Sequence, residues 1–206
     1  MRRVVICGVG ALGSHAAVAC RNLEASFAFI DFDRVEAKNL ASQAFVKASI
    51  GKNKADALKA QLLNFYGLKS EAFGVRLSDS NVATLLEGAS LAVDCFDNAA
   101  SRSIVSRFAR GAALPLLHAG ISQDGAFGLV RWDARFTPDA EDHEGQATCE
   151  GGAHLPMLTL VSAVIARTVQ DFLASGDQRD AMVTLASVTP TWGEPPAGPP
   201  PSSRRP

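Results

Sequence analysis

The sequence predicts an α/β protein with a doubly wound, mostly parallel sheet, helices on both faces, and antiparallel strands toward the C-terminal half. Three observations carry this. Short β-branched or aliphatic runs alternate with longer helical patterns, the rhythm of βαβ units. The first run leads directly into Gly8-Val9-Gly10-Ala11-Leu12-Gly13, and a helical pattern follows. The next apolar run ends in an acid, Asp31, at the distance a ribose-binding carboxylate requires. Together these make the fold Rossmann-like.

Each element follows in order. A strand over 4–7 is β-branched and stops at the first glycine, and a helix over 12–22 begins inside the glycine segment. A strand over 27–31 has apolar residues suited to burial on both faces. The helix over 53–65 repeats Ala55, Leu58, Leu62 and Phe65 at three- and four-residue steps. Strands are expected over 71–77, 91–95, 114–119 and 126–132, with a helix over 98–110. The stretch 155–173 is apolar nearly all round until Arg167, which points to burial in the core or in a subunit interface. Only about a dozen uncharged residues precede that arginine, fewer than the roughly 20 a membrane span needs, so no membrane association is expected.

Composition narrows the classes of function. With 206 residues, 47% hydrophobic and 20% charged, the chain can bury one sizeable core. Its 20 Lys and Arg against 21 Asp and Glu leave no broad basic footprint, so nucleic acid is not an expected partner. Cys7, Cys20, Cys95 and Cys149 form no CxxC pair, which favours a reducing compartment over disulfides. Met1-Arg2-Arg3 opens straight into a strand and a glycine turn, leaving no signal-peptide apolar region, and a cytoplasmic location is expected. Seven of the ten prolines fall in 190–206, which reads as a disordered Pro-rich tail after a folded unit over 1–189. Pro196 and Pro199 are spaced as a PxxP ligand, with a plain solvated tail as the alternative.

The glycine segment carries the chemistry. Gly8 permits the tight turn, Gly10 lets a phosphate approach the backbone, and Gly13 lets helix and strand pack closely. The helix start offers free N–H donors, including that of Ala11, to an anion. The loop after Asp31 is then too long for a dehydrogenase, running through Asp33, Asn39, Ser42 and Gln43 to Lys52-Asn53-Lys54. Later come Asp94-Cys95-Phe96-Asp97-Asn98 at a strand end and Arg102 beyond it.

These segments and their spacing resemble the ThiF/MoeB/ubiquitin-activating enzyme family over roughly residues 3–175. The resemblance implies ATP-dependent adenylyl transfer: the C-terminal glycine carboxylate of a small sulfur-carrier or ubiquitin-like protein attacks the α-phosphate of ATP. It implies that Asp31 holds the ribose, with Asp33 also in the nucleotide site, that Asn39 and Lys54 contact the phosphates, with Gln43 beside them, and that Asp97 holds Mg²⁺. Other readings stand beside these: Asn39 capping a turn, Lys54 a solvated helix-face charge, Asp97 capping the next helix, and Asp33 ordering its loop. Cys149, ahead of Gly151-Gly152 and the apolar helix, stands where family members carry a cysteine that can receive the carrier or take part in sulfur transfer; a plain loop cysteine is the alternative.

The sequence departs from the family pattern in three places. The paired CxxC motifs are missing, so no structural zinc is expected, and Asp139, Glu141, Asp142, His143 and Glu144 read as a solvated loop. Ser42 stands where the family has an arginine between its Asn and Gln. The first strand begins too early for the family's N-terminal helix and its arginine, for which Arg2, Arg3, Lys47 or Lys52 are the candidate replacements. The resemblance implies a homodimer or heterodimer. Two alternative functions remain: a non-catalytic or weakly active nucleotide-binding half of an activating complex, and a nicotinamide oxidoreductase, which only the glycine segment supports.

Overall fold

A computed structural model describes residues 1–137 and 152–187. Its single seven-stranded sheet has the order β3-β2-β1-β4-β5-β6-β7. The strands are β1 (Arg2–Cys7), β2 (Ala25–Ile30), β3 (Ser70–Phe73), β4 (Leu91–Asp94), β5 (Leu116–Ile121), β6 (Phe127–Trp132) and β7 (Ala181–Thr184). The first five pair in parallel, whereas β6 and β7 join antiparallel. The helices are α1 (Ala11–Ala19), α2 (Lys54–Tyr66), α3 (Val82–Leu85), α4 (Ala99–Ala112) and α5 (Leu155–Ser175). The expected fold class is therefore the observed one.

Strand alternation builds two cores. Val4, Ile6, Leu91 and Val93 face one side, where Leu12, Leu58, Leu62, Val161 and Ile165 of α1, α2 and α5 cover them. Val5, Cys7, Ala92 and Leu116 face the other, under α3 and α4, with Val82, Leu85, Val105 and Ala109. Burying both faces of β2 and β4 explains why their sequences are continuous apolar runs.

Caps set where the helices begin. The Asn53 side chain accepts from the Asp56 N–H at 3.1 Å to open α2, and Gly67, at φ +69°, closes it. Asn98 accepts from the Ser101 N–H at 2.9 Å to open α4. Helix α1 starts at Gly10 with no side-chain cap, so its first N–H groups are left to a ligand or water.

Several boundaries differ from expectation. The expected strand over 71–77 ends at Phe73, because Gly74 turns against the Asn53 side chain, whose Cγ would lie 3.0 Å from an added Cβ. Neither α3 nor β7 was anticipated, both being only four residues long. Helix α5 continues to Ser175 and at 21 residues is long and apolar enough to cross a membrane, which corrects the length argument. Its Met157, Leu158, Val161, Ile165, Val169 and Phe172 form one buried stripe against the sheet, so of the two readings offered for it, core burial is the one seen. The tail over 190–206 lies outside the described residues.

Candidate functional site

The site assembles where the parallel strands end. After β1 the glycine loop turns into α1, and a Cβ on Gly13 would lie 1.9 Å from the Gly8 carbonyl oxygen, so only glycine allows this crossing. An added Cβ on Gly10 would meet nothing within 4 Å, leaving open space over the uncapped helix end. The turn after β4 lies alongside, since a Cβ on Gly8 would come within 2.9 Å of Phe96.

Asp31 ties the next loop to the first. One carboxylate oxygen accepts from the Val9 N–H at 2.8 Å, and the other from the Asp33 N–H at 2.9 Å. Burial pushes this carboxyl above its ordinary range, against the pull of Lys54 and of those two N–H groups. Lys54 is only 8% exposed, and its ammonium donates to Asp33 at 3.1 Å. The reading of Lys54 as a solvated surface charge is thereby corrected: the start of α2 folds back under the loop. Asn53 fixes that position by donating its amide to the carbonyls of Asp31 (2.9 Å) and Asp33 (3.1 Å). Sequence reasoning missed this role of Asn53, though an asparagine immediately ahead of a helix is its signal.

Asn39 is buried in a short 3-10 turn over Ala37–Ala41, where its side-chain oxygen accepts from the Glu36 N–H at 2.8 Å. The turn-capping role is real. Gln43 follows, its Oε1 buried and unpartnered, an acceptor in want of a donor. Ser42 is buried as well, and its carbonyl lies 3.1 Å from His15 Nε2 on α1. Burial holds His15 below its ordinary imidazole range, against the pull of the Ser42 carbonyl. Ala41 packs against Gly152 just before α5, where a Cβ would lie 2.7 Å from the Ala41 oxygen.

Asp97 is exposed, and among the described residues no cation pairs with it. The reading of Asp97 as the cap of α4 is corrected, because Asn98 caps it. Arg102 clamps the turn from below, donating to the carbonyls of Phe96 at 2.7 Å and Ala119 at 2.9 Å. An exposed carboxylate on the turn that packs against the glycine loop suits a hard cation that keeps most of its ligands as water and phosphate oxygens. Among the described residues no three His, Cys, Asp or Glu side chains converge on a metal position. Cys149 and the acids over 139–144 lie outside the described residues.

Two further predicted groups fall elsewhere. Arg2 donates to the Phe172 carbonyl at 2.8 Å, and Arg3 pairs with Glu71 at 2.8 Å and with the Glu87 carbonyl. Both sit at the start of β1, a strand's length from the site and engaged within their own chain, which removes the reason to cast either as a phosphate cation. Lys47 and Lys52 are exposed on the loop that borders the site. Of the other cysteines, Cys7 and Cys20 are buried as expected while Cys95 is partly so, and burial raises all three thiols, Cys20 to about 12. A cavity of about 580 Å³ lies beside Arg110, Trp132, Phe136 and Gln178, and none of the predicted site residues lines it.

The family model for ThiF matches residues 1–203. The chain belongs to the ThiF family. Other structures share its fold. PaaA superposes with a TM-score of 0.72 at 18% identity, covering 90% of this chain and 61% of PaaA. Escherichia coli MccB, solved with ATP, gives 0.68 at 18% identity over 89% of this chain and 63% of MccB. The E. coli tRNA N6-threonylcarbamoyladenosine dehydratase TcdA gives 0.65 at 18% identity over 85% of this chain and 88% of TcdA. This ThiF-family chain thus spans about three-fifths of PaaA and MccB. No curated protein matches it in sequence.

Proposed function

We propose that this ThiF-family chain is an ATP-dependent adenylyltransferase acting on the C-terminal glycine of a small ubiquitin-like or sulfur-carrier protein. The observation that carries the reading is the presence, at the carboxyl ends of neighbouring parallel strands, of an uncapped helix end, a fixed Asp31, a buried Lys54 and an exposed Asp97. Asp31 accepts from ribose hydroxyls. Phe32, with the Arg76 guanidinium 3.7 Å from its ring centroid, offers a flat platform next to that acid for the base. The N–H groups from Gly10 onward, with Lys54 and the amides of Asn39 and Gln43, hold the phosphates.

Mg²⁺ on Asp97, when bound, would neutralise charge on the departing pyrophosphate. The carrier carboxylate oxygen forms a bond to the α-phosphorus as the bond to the β-phosphate oxygen breaks, giving acyl-adenylate and pyrophosphate. Positioning and charge neutralisation account for most of the catalysis in such transfers. With Ser42 in the arginine's place, a partner subunit supplies a further cation, in a homodimer or a heterodimer. That MccB has been solved with ATP supports the choice of nucleotide.

Calorimetric titration tests the reading. Mg·ATP should bind more tightly than NAD, and ATP–pyrophosphate exchange should appear when a small β-grasp protein ending in Gly-Gly is added. Tighter binding of NAD would overturn it. Mg·ATP binding without exchange at any protein concentration would favour the non-catalytic half of an activating complex.

A further inference from the structure

A buried polar chain runs beneath α4 and ends at the turn that carries Asp97. His118 on β5 is 1% exposed, with Nδ1 2.7 Å from Asp94 Oδ2 and Nε2 2.9 Å from Asp133 Oδ1. Asp133 also accepts from Ser106 Oγ at 2.5 Å and from Arg110 Nε at 2.5 Å. The Phe136 ring stacks on the imidazole at 3.9 Å. At the far end, the second oxygen of Asp94 accepts from the Phe96 N–H at 3.0 Å, while Arg102 holds the Phe96 carbonyl. Asp97 is the next residue.

Net stability gives no reason to prefer this arrangement to an apolar one, although losing a single member of it is costly. Two carboxylates and an imidazole are costly to desolvate, and well-packed apolar side chains of similar volume commonly do as well or better. What apolar groups could not do is fix the rotamer of Asp94. With His118 on one carboxylate oxygen, the other is aimed at the Phe96 N–H, and the Cys95–Asp97 turn is held at both its N–H and its carbonyl. A metal ligand on a loop is effective only when its support is this rigid.

We propose that His118 and Asp133 are positioning residues for Asp97, setting the metal affinity of the nucleotide complex through Asp94 and the Phe96 amide. This rests on the proposed function, in which Asp97 meets Mg²⁺. The test measures ATP affinity by calorimetry with Mg²⁺ and with EDTA, for wild type, His118→Gln and Asp133→Asn, with folding checked by circular dichroism. Both variants should bind ATP in EDTA within about twofold of wild type and lose roughly tenfold of the gain that Mg²⁺ confers. Hydrogen exchange on the wild-type protein supplies a readout that needs no variant: the Phe96 amide should be protected without nucleotide, and exchange at the rate of an open loop would overturn the proposal. A wild-type gain that survives in both folded variants would overturn this inference alone. A wild type with no metal-dependent gain would overturn the Asp97 assignment and this inference with it.

Discussion

Lys54 Nζ lies 3.1 Å from Asp33 Oδ2, a nearly buried cation held by a carboxylate whose side chain is 48% exposed. A lysine so placed gives up little hydration when a phosphate arrives, but the phosphate must compete with Asp33 for it.

Two substitutions separate these effects. Lys54→Ala should weaken ATP binding by roughly ten- to hundredfold, the equivalent of about 1.5–3 kcal/mol for a charge-assisted hydrogen bond, and leave adenosine binding almost unchanged. Asp33→Asn should instead tighten ATP binding while lowering the melting temperature, since it removes the competitor and leaves the nearly buried Lys54 without its hydrogen-bonded carboxylate. Calorimetry with ATP, AMP and adenosine, beside thermal unfolding, checks both.

The glycine loop makes a contrast of its own. Gly13→Ala should destabilise the protein by about 1–3 kcal/mol or more, because its methyl group would overlap the Gly8 carbonyl. Gly10→Ala meets no protein atom within 4 Å and should fold normally, yet lose ATP affinity by placing a methyl group where a phosphate approaches. Urea unfolding and nucleotide titration of the two variants should therefore rank them oppositely.

Asp133 makes stability depend on acid pH. Burial pushes its carboxyl up, but hydrogen bonds from Arg110, Ser106 and His118 outweigh burial and hold it below the ordinary 3.8. With its folded value depressed, its contribution is complete above the ordinary value and is lost as pH falls through the folded one. Asp133→Asn should cost on the order of 3 kcal/mol at neutral pH. The gap from wild type in urea unfolding should narrow only in strong acid; a gap that closes near neutrality would show that another group is responsible.

For Cys149, adenylation and later transfer should separate. Forming the acyl-adenylate needs a carboxylate and ATP, so pyrophosphate exchange should survive Cys149→Ser, whereas a thioester or persulfide link to the carrier should vanish from a non-reducing gel. Loss of exchange in a folded Cys149→Ser protein would instead place this cysteine in the nucleotide site.

Local pattern was enough for the βαβ order and for the residues at the strand ends. Gly8 and Gly13 are dictated by turn geometry and close packing within a few residues, and Asp31 follows from the length of one βαβ unit. The long loop and Lys54 were visible for the same reason: they are a matter of spacing along the chain. Contacts between distant segments were invisible. Nothing near His118 in the chain announces that Asp94, 24 positions before it, and Asp133, 15 after it, will meet its two ring nitrogens. Nor does a lysine at the start of a helix declare itself buried; packing of α2 under the Asp31–Asp33 loop does that. Arg2 and Arg3 show the same limit, because the Phe172 carbonyl and the Glu71 and Glu87 groups that engage them lie far away in the chain. Periodicity and turn chemistry act over a few residues, whereas burial and ion pairing depend on which strands become neighbours, and that is set by the whole fold at once.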